Sequence, residues 1–123
     1  MDIANEKIFL MIITKDDIYN ITKENTKINY EKLTLILKDF LNSNNLKLED
    51  IQKIYVNRGP GSFAGIRNSL SIVKAINVAR NIDYYCYSLE DFKDQKEVKY
   101  EDIPNLCDKF KIKKNLIKPI YLS

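Results

Sequence analysis

The pattern of apolar and polar residues predicts that the chain begins with a hairpin. Residues 8–13 form a continuous apolar run, which is typical of a buried strand. Residues 17–22 are predicted to form the second strand, and the polar residues 15–17 supply the turn. Residues 23–29 are polar, so we expect a loop there.

A helix is predicted over residues 30–42, because its apolar residues recur at steps of three and four. This spacing places them on one face, where they would pack against a sheet. Leu35 falls off that face and indicates a second contact outside the helix's own core. The apolar face consists of Tyr30, Leu33, Ile36, Leu37, Phe40 and Leu41.

The middle of the chain has the order of a βαβ unit. A strand over residues 53–57 leads through a glycine-rich segment into a helix over residues 63–80, and a second strand follows over residues 84–88. Such a unit predicts parallel strands joined by a right-handed crossover. The rest of the chain is highly charged, with a helix predicted over residues 100–111 and a last short strand over residues 117–122.

All three glycines of the chain lie between the end of that strand and the first turn of that helix, at Gly59, Gly61 and Gly65. Gly59 and Gly61 can adopt positive φ on either side of Pro60, and Ser62 is placed to cap the helix. The segment lacks the Gly-Lys-Ser/Thr end of a Walker A loop, and its glycine spacing differs from the dinucleotide fingerprint. A tight strand-to-helix turn is therefore predicted.

The chemistry of this turn leaves two interpretations open. Arg58 and Arg67 flank the start of the helix, where exposed backbone N–H groups favour an anion such as a phosphate. A turn without any ligand is the alternative. The residues alone favour the turn without a ligand, since matches to glycine-rich loops are unspecific.

Composition limits the chemistry that the chain can perform. It has no histidine, which removes Ser-His and Cys-His catalysis and histidine-ligated zinc. Cys86 and Cys107 are far apart in the sequence and predict neither a disulfide framework nor a metal site. The apolar run at residues 8–13 is too short to span a bilayer, so we expect a cytoplasmic protein without cofactor or metal. A net charge of +3 is weak evidence for an anionic partner.

Residues 59–67 resemble the hallmark of the TsaB/YeaZ family. The family has Gly-Pro-Gly-Ser-Phe-Thr-Gly-Leu-Arg, and this chain differs from it only at Ala64 and Ile66. The strand before this motif, the helix after it and the strand at residues 84–89 lie where the family has them. The resemblance covers most of residues 1–92, and residues 119–122 are similar to the family's Pro-x-Tyr-Leu segment.

The chain departs from that family at two places. Residues 1–5 are similar to the end of the family's first motif, so the strand that precedes them is expected to be missing. The family's second lobe is replaced by about the last thirty residues. We therefore expect a TsaB-like lobe over residues 1–92 and a short charged segment over residues 93–123.

The resemblance implies an α/β fold, with a single actin/Hsp70-like (ASKHA, ribonuclease H-like) lobe, a mixed sheet and packed helices. It also implies a non-catalytic scaffold or activator of tRNA N6-threonylcarbamoyladenosine (t6A) synthesis. In that family the protein pairs with TsaD, the ATPase TsaE joins the assembly, and tRNA is engaged only through the complex. A homodimer through the same surface is the alternative to pairing with TsaD.

The helices at residues 30–41 and 66–80 are expected to form the partner surface. The apolar arc of the second helix is wider than the roughly 100° that covering its own sheet requires. The alternative to a partner surface is that this helix is buried on two sides within the chain's own domain. The predicted interface consists of Leu33, Leu35, Leu37, Ile66, Leu70, Val73 and Asn77. The structural glycine turn consists of Gly59, Pro60, Gly61, Ser62, Gly65 and Arg67.

Two further functions stay open at this point. A small nucleotide-binding module would use the glycine-rich turn, and the isolated chain would then bind ATP or ADP. A homodimeric structural protein derived from TsaB would self-associate without affinity for TsaD. A peptidase is disfavoured, because the chain has no histidine to bind the metal.

Overall fold

The computed structural model describes residues 1–93 and 95–122. The predicted hairpin is present as β1 (Lys7–Ile13) and β2 (Ile18–Glu24), which pair antiparallel. Alternate residues of β1 are buried, namely Ile8, Leu10 and Ile12, so one face of the hairpin carries the core.

The loop predicted over residues 23–29 is wrong, because β2 continues to Glu24 and a short helix, α1 (Lys27–Glu31), follows. The hydroxyl of Thr26 accepts a hydrogen bond from the backbone N–H of Asn29 (3.2 Å), which caps the start of α1. Polar composition alone did not show this local cap.

The next helix, α2, spans Leu33–Ser43 instead of residues 30–42. It is separated from α1 at Lys32, whose backbone angles (φ −101°, ψ 15°) are not helical. The side chain of Tyr30, which the apolar pattern places on the face of this helix, lies outside the part of the chain that the structure describes. The rest of that face is buried or partly buried, as predicted: Leu33, Ile36, Leu37, Phe40 and Leu41.

The βαβ unit has the predicted strand order and parallel pairing. The bounds of its first strand and its helix agree with the sequence pattern, and the second strand is shifted by one residue. Its elements are β3 (Lys53–Asn57), β4 (Gly61–Ser62), α3 (Phe63–Arg80) and β5 (Asp83–Tyr87). Asn81 ends α3 in the left-handed conformation (φ 57°), a common way for a helix to stop.

The first four residues of the chain lie between the hairpin and the βαβ unit. Asp2 and Phe9 of β1 exchange backbone hydrogen bonds of 2.9 Å. On the other side, the amino group of Met1 donates to the carbonyl of Tyr55, and the N–H of Asn57 donates to the carbonyl of Met1 (both 2.9 Å). Residues 1–4 therefore connect β1 to β3. They partly fill the position of the first strand, which the resemblance to the TsaB/YeaZ family leads us to expect missing.

The C-terminal segment contains a 3₁₀ turn at Tyr100–Asp102, then α4 (Ile103–Lys109) and β6 (Tyr121–Leu122). The helix predicted over residues 100–111 thus starts as a 3₁₀ turn, with Pro104 in the first turn of α4 as expected. Only the last two residues of the predicted strand 117–122 are strand, and they pair with β4.

The strands form three two-stranded sheets, β1–β2, β3–β5 and β4–β6, and residues 1–4 bridge the first two of them. The helices cover the two faces of this layer of strands unequally. On one face, α2 and α3 pack on the inward residues of β1, β3 and β5. On the other face, α4 packs against the alternate residues of β3 and β5, with Ile103, Leu106 and Cys107 around Tyr87 and Phe92. The division into residues 1–92 and 93–123 stays a prediction, although side chains on both sides of it share this cluster.

Candidate functional site

The glycine turn is held by close backbone contacts with both ends of the chain. Gly59 has φ 109°, and a Cβ there would overlap the carbonyl of Ile120. A Cβ at Gly61 would overlap the carbonyl of Ala4, to which the N–H of Ser62 donates (2.9 Å). A side chain at either glycine would therefore displace a neighbouring backbone segment.

The start of α3 is packed in the same way. A Cβ at Gly65 would overlap the carbonyl of Ile3. The hydroxyl of Ser62 accepts a long hydrogen bond (3.4 Å) from the N–H of Gly65, so Ser62 is the N-cap, as predicted. The ring of Phe63 packs against that of Tyr121 in β6, with centroids 4.7 Å apart. The turn is therefore covered by residues 1–4 on one side and by the C-terminal strand on the other.

The two arginines that flank the turn have different surroundings. The guanidinium of Arg58 is largely buried, forms an ion pair with Asp91 (2.8 Å) and donates to the carbonyl of Lys118 (3.1 Å). Arg67 is exposed and lies over the ring of Phe63, with its guanidinium carbon 5.9 Å from the centroid. Arg58 therefore holds the tail of the chain against the turn, which supports the turn without a ligand over a phosphate site.

The predicted interface residues divide into two groups. Leu33, Ile66, Leu70 and Val73 are at most 4% exposed and belong to the chain's own core. Their side chains are therefore not available to a partner in this structure. The apolar arc of α3 is wide because the helix packs against its own sheet and against α2, as its contacts with both clusters show.

The other predicted interface residues are at least partly accessible. Leu35 is 53% exposed on α2, and Leu37 and Asn77 are partly buried. The amide of Asn77 donates to the carbonyl of Ile82 (3.1 Å) and to the side chain of Asn115 (3.3 Å), so it fixes the end of α3. Only Leu35 of the seven presents a large apolar surface to solvent.

Sequence reasoning missed a more exposed residue on α3. Val78 is 77% exposed, and the small side chains of Ala75 and Ala79 are exposed beside it. The two alanines are part of the apolar arc predicted for this helix, but Val78 is not. A helical wheel places Val78 opposite the buried stripe that contains Val73, and this spacing could have identified it. We call the solvent side of α2 and α3, which carries Leu35, Ala75, Val78 and Ala79, the outer helical face. Leu35 lies on its β2 side, beside Asn20 and Ile21.

The two thiols and the phenol of Tyr100 have raised pKa values. Burial raises the pKa of the Cys86 thiol to about 11 and that of the Cys107 thiol to about 12, so both are protonated at neutral pH. Tyr100 donates to a carboxylate oxygen of Asp2 (2.7 Å), and burial raises the pKa of its phenol. Within residues 1–93 and 95–122, no cluster of potential metal ligands is found. None of the helices described in that range is long and apolar enough to cross a membrane.

Comparison with known proteins agrees with this fold. A protein-family model described as "TsaD: tRNA N6-adenosine threonylcarbamoyltransferase" matches residues 24–88, more than half of the chain. The tRNA threonylcarbamoyladenosine biosynthesis protein TsaB of Buchnera aphidicola (subsp. Baizongia pistaciae, strain Bp) is 29% identical over 75 residues, which is 61% of this chain and 34% of that protein.

Two solved structures have the same fold at low sequence identity. YeaZ from Pseudomonas aeruginosa has a TM-score of 0.65 at 20% identity, over 71% of this chain and 41% of that one. A protein described as uncharacterized, with similarity to peptidase YEAZ from Pseudomonas aeruginosa, gives the same values over 40% of its length. The fold class is therefore confirmed as an α/β lobe of the actin/Hsp70-like kind.

The chain belongs to the TsaB/YeaZ family. It spans about a third of the length of the curated relative and about two-fifths of each solved chain.

Proposed function

We propose that this chain is a non-catalytic subunit in the synthesis of tRNA N6-threonylcarbamoyladenosine, and that it pairs with a TsaD homologue. The Buchnera relative is named for that pathway, and the matched family model is described by the transferase itself. In this proposal the chain acts as a scaffold or activator in the cytoplasm, tRNA is engaged only through the complex, and TsaE is a further member of the assembly.

The observation that carries the pairing is the outer helical face. Leu35 and Val78 are large apolar residues, 53% and 77% exposed, on the two helices that cover one face of the sheet. The exposed alanines beside Val78 allow close approach of another helix, because small side chains shorten the distance between helix axes. Apolar residues of this kind are typical of the centre of protein–protein interfaces.

A non-catalytic role is consistent with the side chains in the described part of the chain. The sequence has no histidine to act as a general base near pH 7. Both thiols are buried with raised pKa values, and Arg58 is engaged by Asp91 and Lys118. The glycine turn is then a structural support for α3 and not a site for a reacting group.

The test is co-purification of the tag-free chain with the TsaD homologue of the same cell, with the mass of the product measured by light scattering. We expect a heterodimer, and we expect Leu35→Asp and Val78→Asp to weaken it by about tenfold or more, since a charge would be buried at the contact. The matched control is Leu116→Asp, which changes a residue of similar exposure (48%) in the C-terminal segment.

Three results would contradict the proposal. The first is that the unmodified chain shows no association with TsaD in this assay, and the second is that Leu116→Asp weakens the complex as much as Leu35→Asp does. A homodimer that excludes TsaD would assign the outer helical face to self-association. Substitutions at Leu70 or Val73 do not test the interface, because both side chains are buried and their replacement by Asp would unfold the chain.

A further inference from the structure

The outer edge of β2 has no partner strand within the part of the chain that the structure describes. Phe9 of β1 exchanges backbone hydrogen bonds with Asp2, so its polar groups point away from β2. Thr22 lies opposite Phe9, so its own N–H and carbonyl point away from β1. Ile18 and Asn20 share this orientation, because the direction of the backbone groups alternates along a strand. None of these groups has a hydrogen-bond partner among the described residues.

The strand β1 separates this edge from residues 1–4. Asp2 is bonded to the opposite side of β1, and Met1 is bonded to β3 beyond it. The last described strand, β6, pairs with β4 and not with the hairpin. The outer edge of β2 is therefore open independently of the residues that neighbour Met1.

The sequence of this edge lacks the usual protection against pairing. Strand edges that remain free generally carry a proline, a bulge or charged side chains. Residues 18–22 read Ile-Tyr-Asn-Ile-Thr, without proline or charge, and their register with β1 has no bulge. Charged residues begin only at Lys23. This composition favours an edge that is paired with another strand.

A groove of about 570 Å³ runs beside this edge, between β2 and α2. Asn20 and Ile21 line it on the side of the strand, and Leu35, which is 53% exposed, lines it on the side of the helix. Tyr19 and Ile21 lie on the face of the hairpin that packs toward α2. A strand added at this edge would therefore bring side chains against Leu35 and remove it from solvent.

We propose that a second copy of this chain occupies the edge, so that the two β2 strands pair antiparallel about a two-fold axis. The axis passes between the two copies of Asn20, which exchange backbone hydrogen bonds with each other. Ile18 exchanges backbone hydrogen bonds with Thr22 of the second copy. The two hairpins then form one continuous sheet, with both copies of α2 on the same face.

Charge complementarity favours a second copy over an unrelated strand. In this register Asp17 lies opposite Lys23 of the second copy, and the axis repeats this contact. On α2, Lys32 and Asp39 line the groove on either side of Leu35. Because the axis reverses the direction of α2, Lys32 of one copy is brought to the side of Asp39 of the other. The edge is thus complementary to itself in charge as well as in hydrogen bonding.

The neighbouring registers are poorer. A shift by one residue would set outward-pointing backbone groups opposite inward-pointing ones. An axis through Ile21 would pair Ile18 with Glu24, whose carbonyl already accepts a hydrogen bond from the side chain of Asn29 (2.8 Å). That register also loses the pairs of opposite charge. The register about Asn20 is therefore the one to test.

The first test is the mass of the isolated chain at rising concentration, measured by light scattering. We expect a dimer, and we expect Asn20→Pro to weaken it by about tenfold or more, because it removes an outward-facing N–H at the axis. Met11→Pro is the matched control, since Met11 is opposite Asn20 in the hairpin and its N–H faces away from β2. Thermal melting shows whether each variant remains folded.

Two cysteine variants test the register and keep every backbone donor. Asn20→Cys faces its own copy across the axis at a Cα separation of about 5.5 Å, which a disulfide can span. We expect mild oxidation to give a covalent dimer of this variant. Ile18→Cys is the matched control, because it lies on the same edge but opposite Thr22, and we expect little crosslinking. Cys86 and Cys107 are buried and do not compete.

The pairing does not rest on the proposed role in tRNA modification. Val78 is on α3 and does not line the groove, so Val78→Asp should weaken binding of a TsaD homologue and leave self-association unchanged. Leu35 takes part in both contacts, so an excess of the TsaD homologue should replace the second copy. A TsaD homologue that fails to do so contradicts the proposed function and not this pairing.

Three results would overturn the pairing of the β2 edges. The first is a monomer at every concentration, and the second is a dimer that folded Asn20→Pro retains in full. The third is crosslinking of Ile18→Cys as efficient as that of Asn20→Cys. The cysteine variants decide the question even where Asn20→Pro does not fold.

Discussion

The two ends of the segment formed by residues 1–4 are packed in opposite ways. At Ala4, the glycine turn approaches so closely that a Cβ at Gly61 would overlap the backbone. At Met1, the same segment borders a cavity of about 650 Å³ between β1 and β3, which we call the slot. The glycine turn is thus fixed by backbone contacts, whereas the slot is bordered by side chains that lack contacts on one side.

The largest expected difference between these ends is in the stability lost when a buried leucine is replaced by alanine. Leu70 lies near the glycine turn, Leu41 lines the slot, and both are 4% exposed. We expect Leu70→Ala to lower the free energy of unfolding by about 4 kcal/mol and Leu41→Ala by about 2 kcal/mol, because Leu41 already borders empty space and loses fewer contacts. Urea unfolding of both variants measures the difference, and equal losses would contradict it.

The amino group of Met1 gives a pH dependence to the slot end. Burial lowers its pKa from 8.0 to about 6, and the nearby Asp2 opposes this shift in part. The unfolded chain therefore binds more protons between these values, so the free energy of unfolding rises by about 2 kcal/mol from pH 6 to pH 8, and this gain is lost as the pH falls.

Unfolding of the tag-free chain across this pH range measures the effect. The chain has no histidine, so the amino group is its main titrating group in that window. An Nα-acetylated chain is the control and should give a flat profile between pH 6 and 8. A flat profile for the free amine would show that the amino group is not desolvated as the structure indicates.

At the glycine end, Gly61→Val should lower the free energy of unfolding by about 2 kcal/mol, because the new side chain must displace Ala4. Ala64→Val is the matched control, since Ala64 lies three residues further on, in the first turn of α3, and is only partly buried. Urea unfolding compares the two. If Gly61→Val lowers the free energy of unfolding no more than Ala64→Val does, then residues 1–4 can be displaced at this end with little loss of stability.

The smallest effect is expected from the cap of α3. Ser62→Ala removes the acceptor for the N–H of Gly65 and should lower the free energy of unfolding by about 1 kcal/mol or less, since that hydrogen bond is long (3.4 Å). Ser71→Ala, on the exposed side of α3, is the control and should change stability little. Thermal melting distinguishes the two variants. A loss of stability for Ser62→Ala larger than that for Gly61→Val would contradict the expected order of these effects.

Much of the local structure could be predicted from the sequence. The period of two in β1, the period of 3.6 in α2 and the cap at Ser62 are set by neighbours along the chain. The motif at residues 59–67 also led to the correct family and fold. The burial of the predicted interface residues could not be predicted in the same way. The helical pattern of α3 shows which arc of the helix is apolar, but it does not show which element of the structure covers that arc. Leu70 and Val73 face the chain's own sheet, and Val78, outside the arc, faces solvent.

The sequence by itself determined the hairpin, the βαβ order, the glycine turn and the absence of histidine chemistry, since each depends on residue type and short-range spacing. Only the tertiary structure decided that residues 1–4 bridge β1 and β3, that Arg58 holds the C-terminal tail, and that the slot is open beside Met1. These features join residues far apart in the chain. They depend on which groups come together in the folded chain, and the periodic pattern of residues along a single helix or strand does not contain this information.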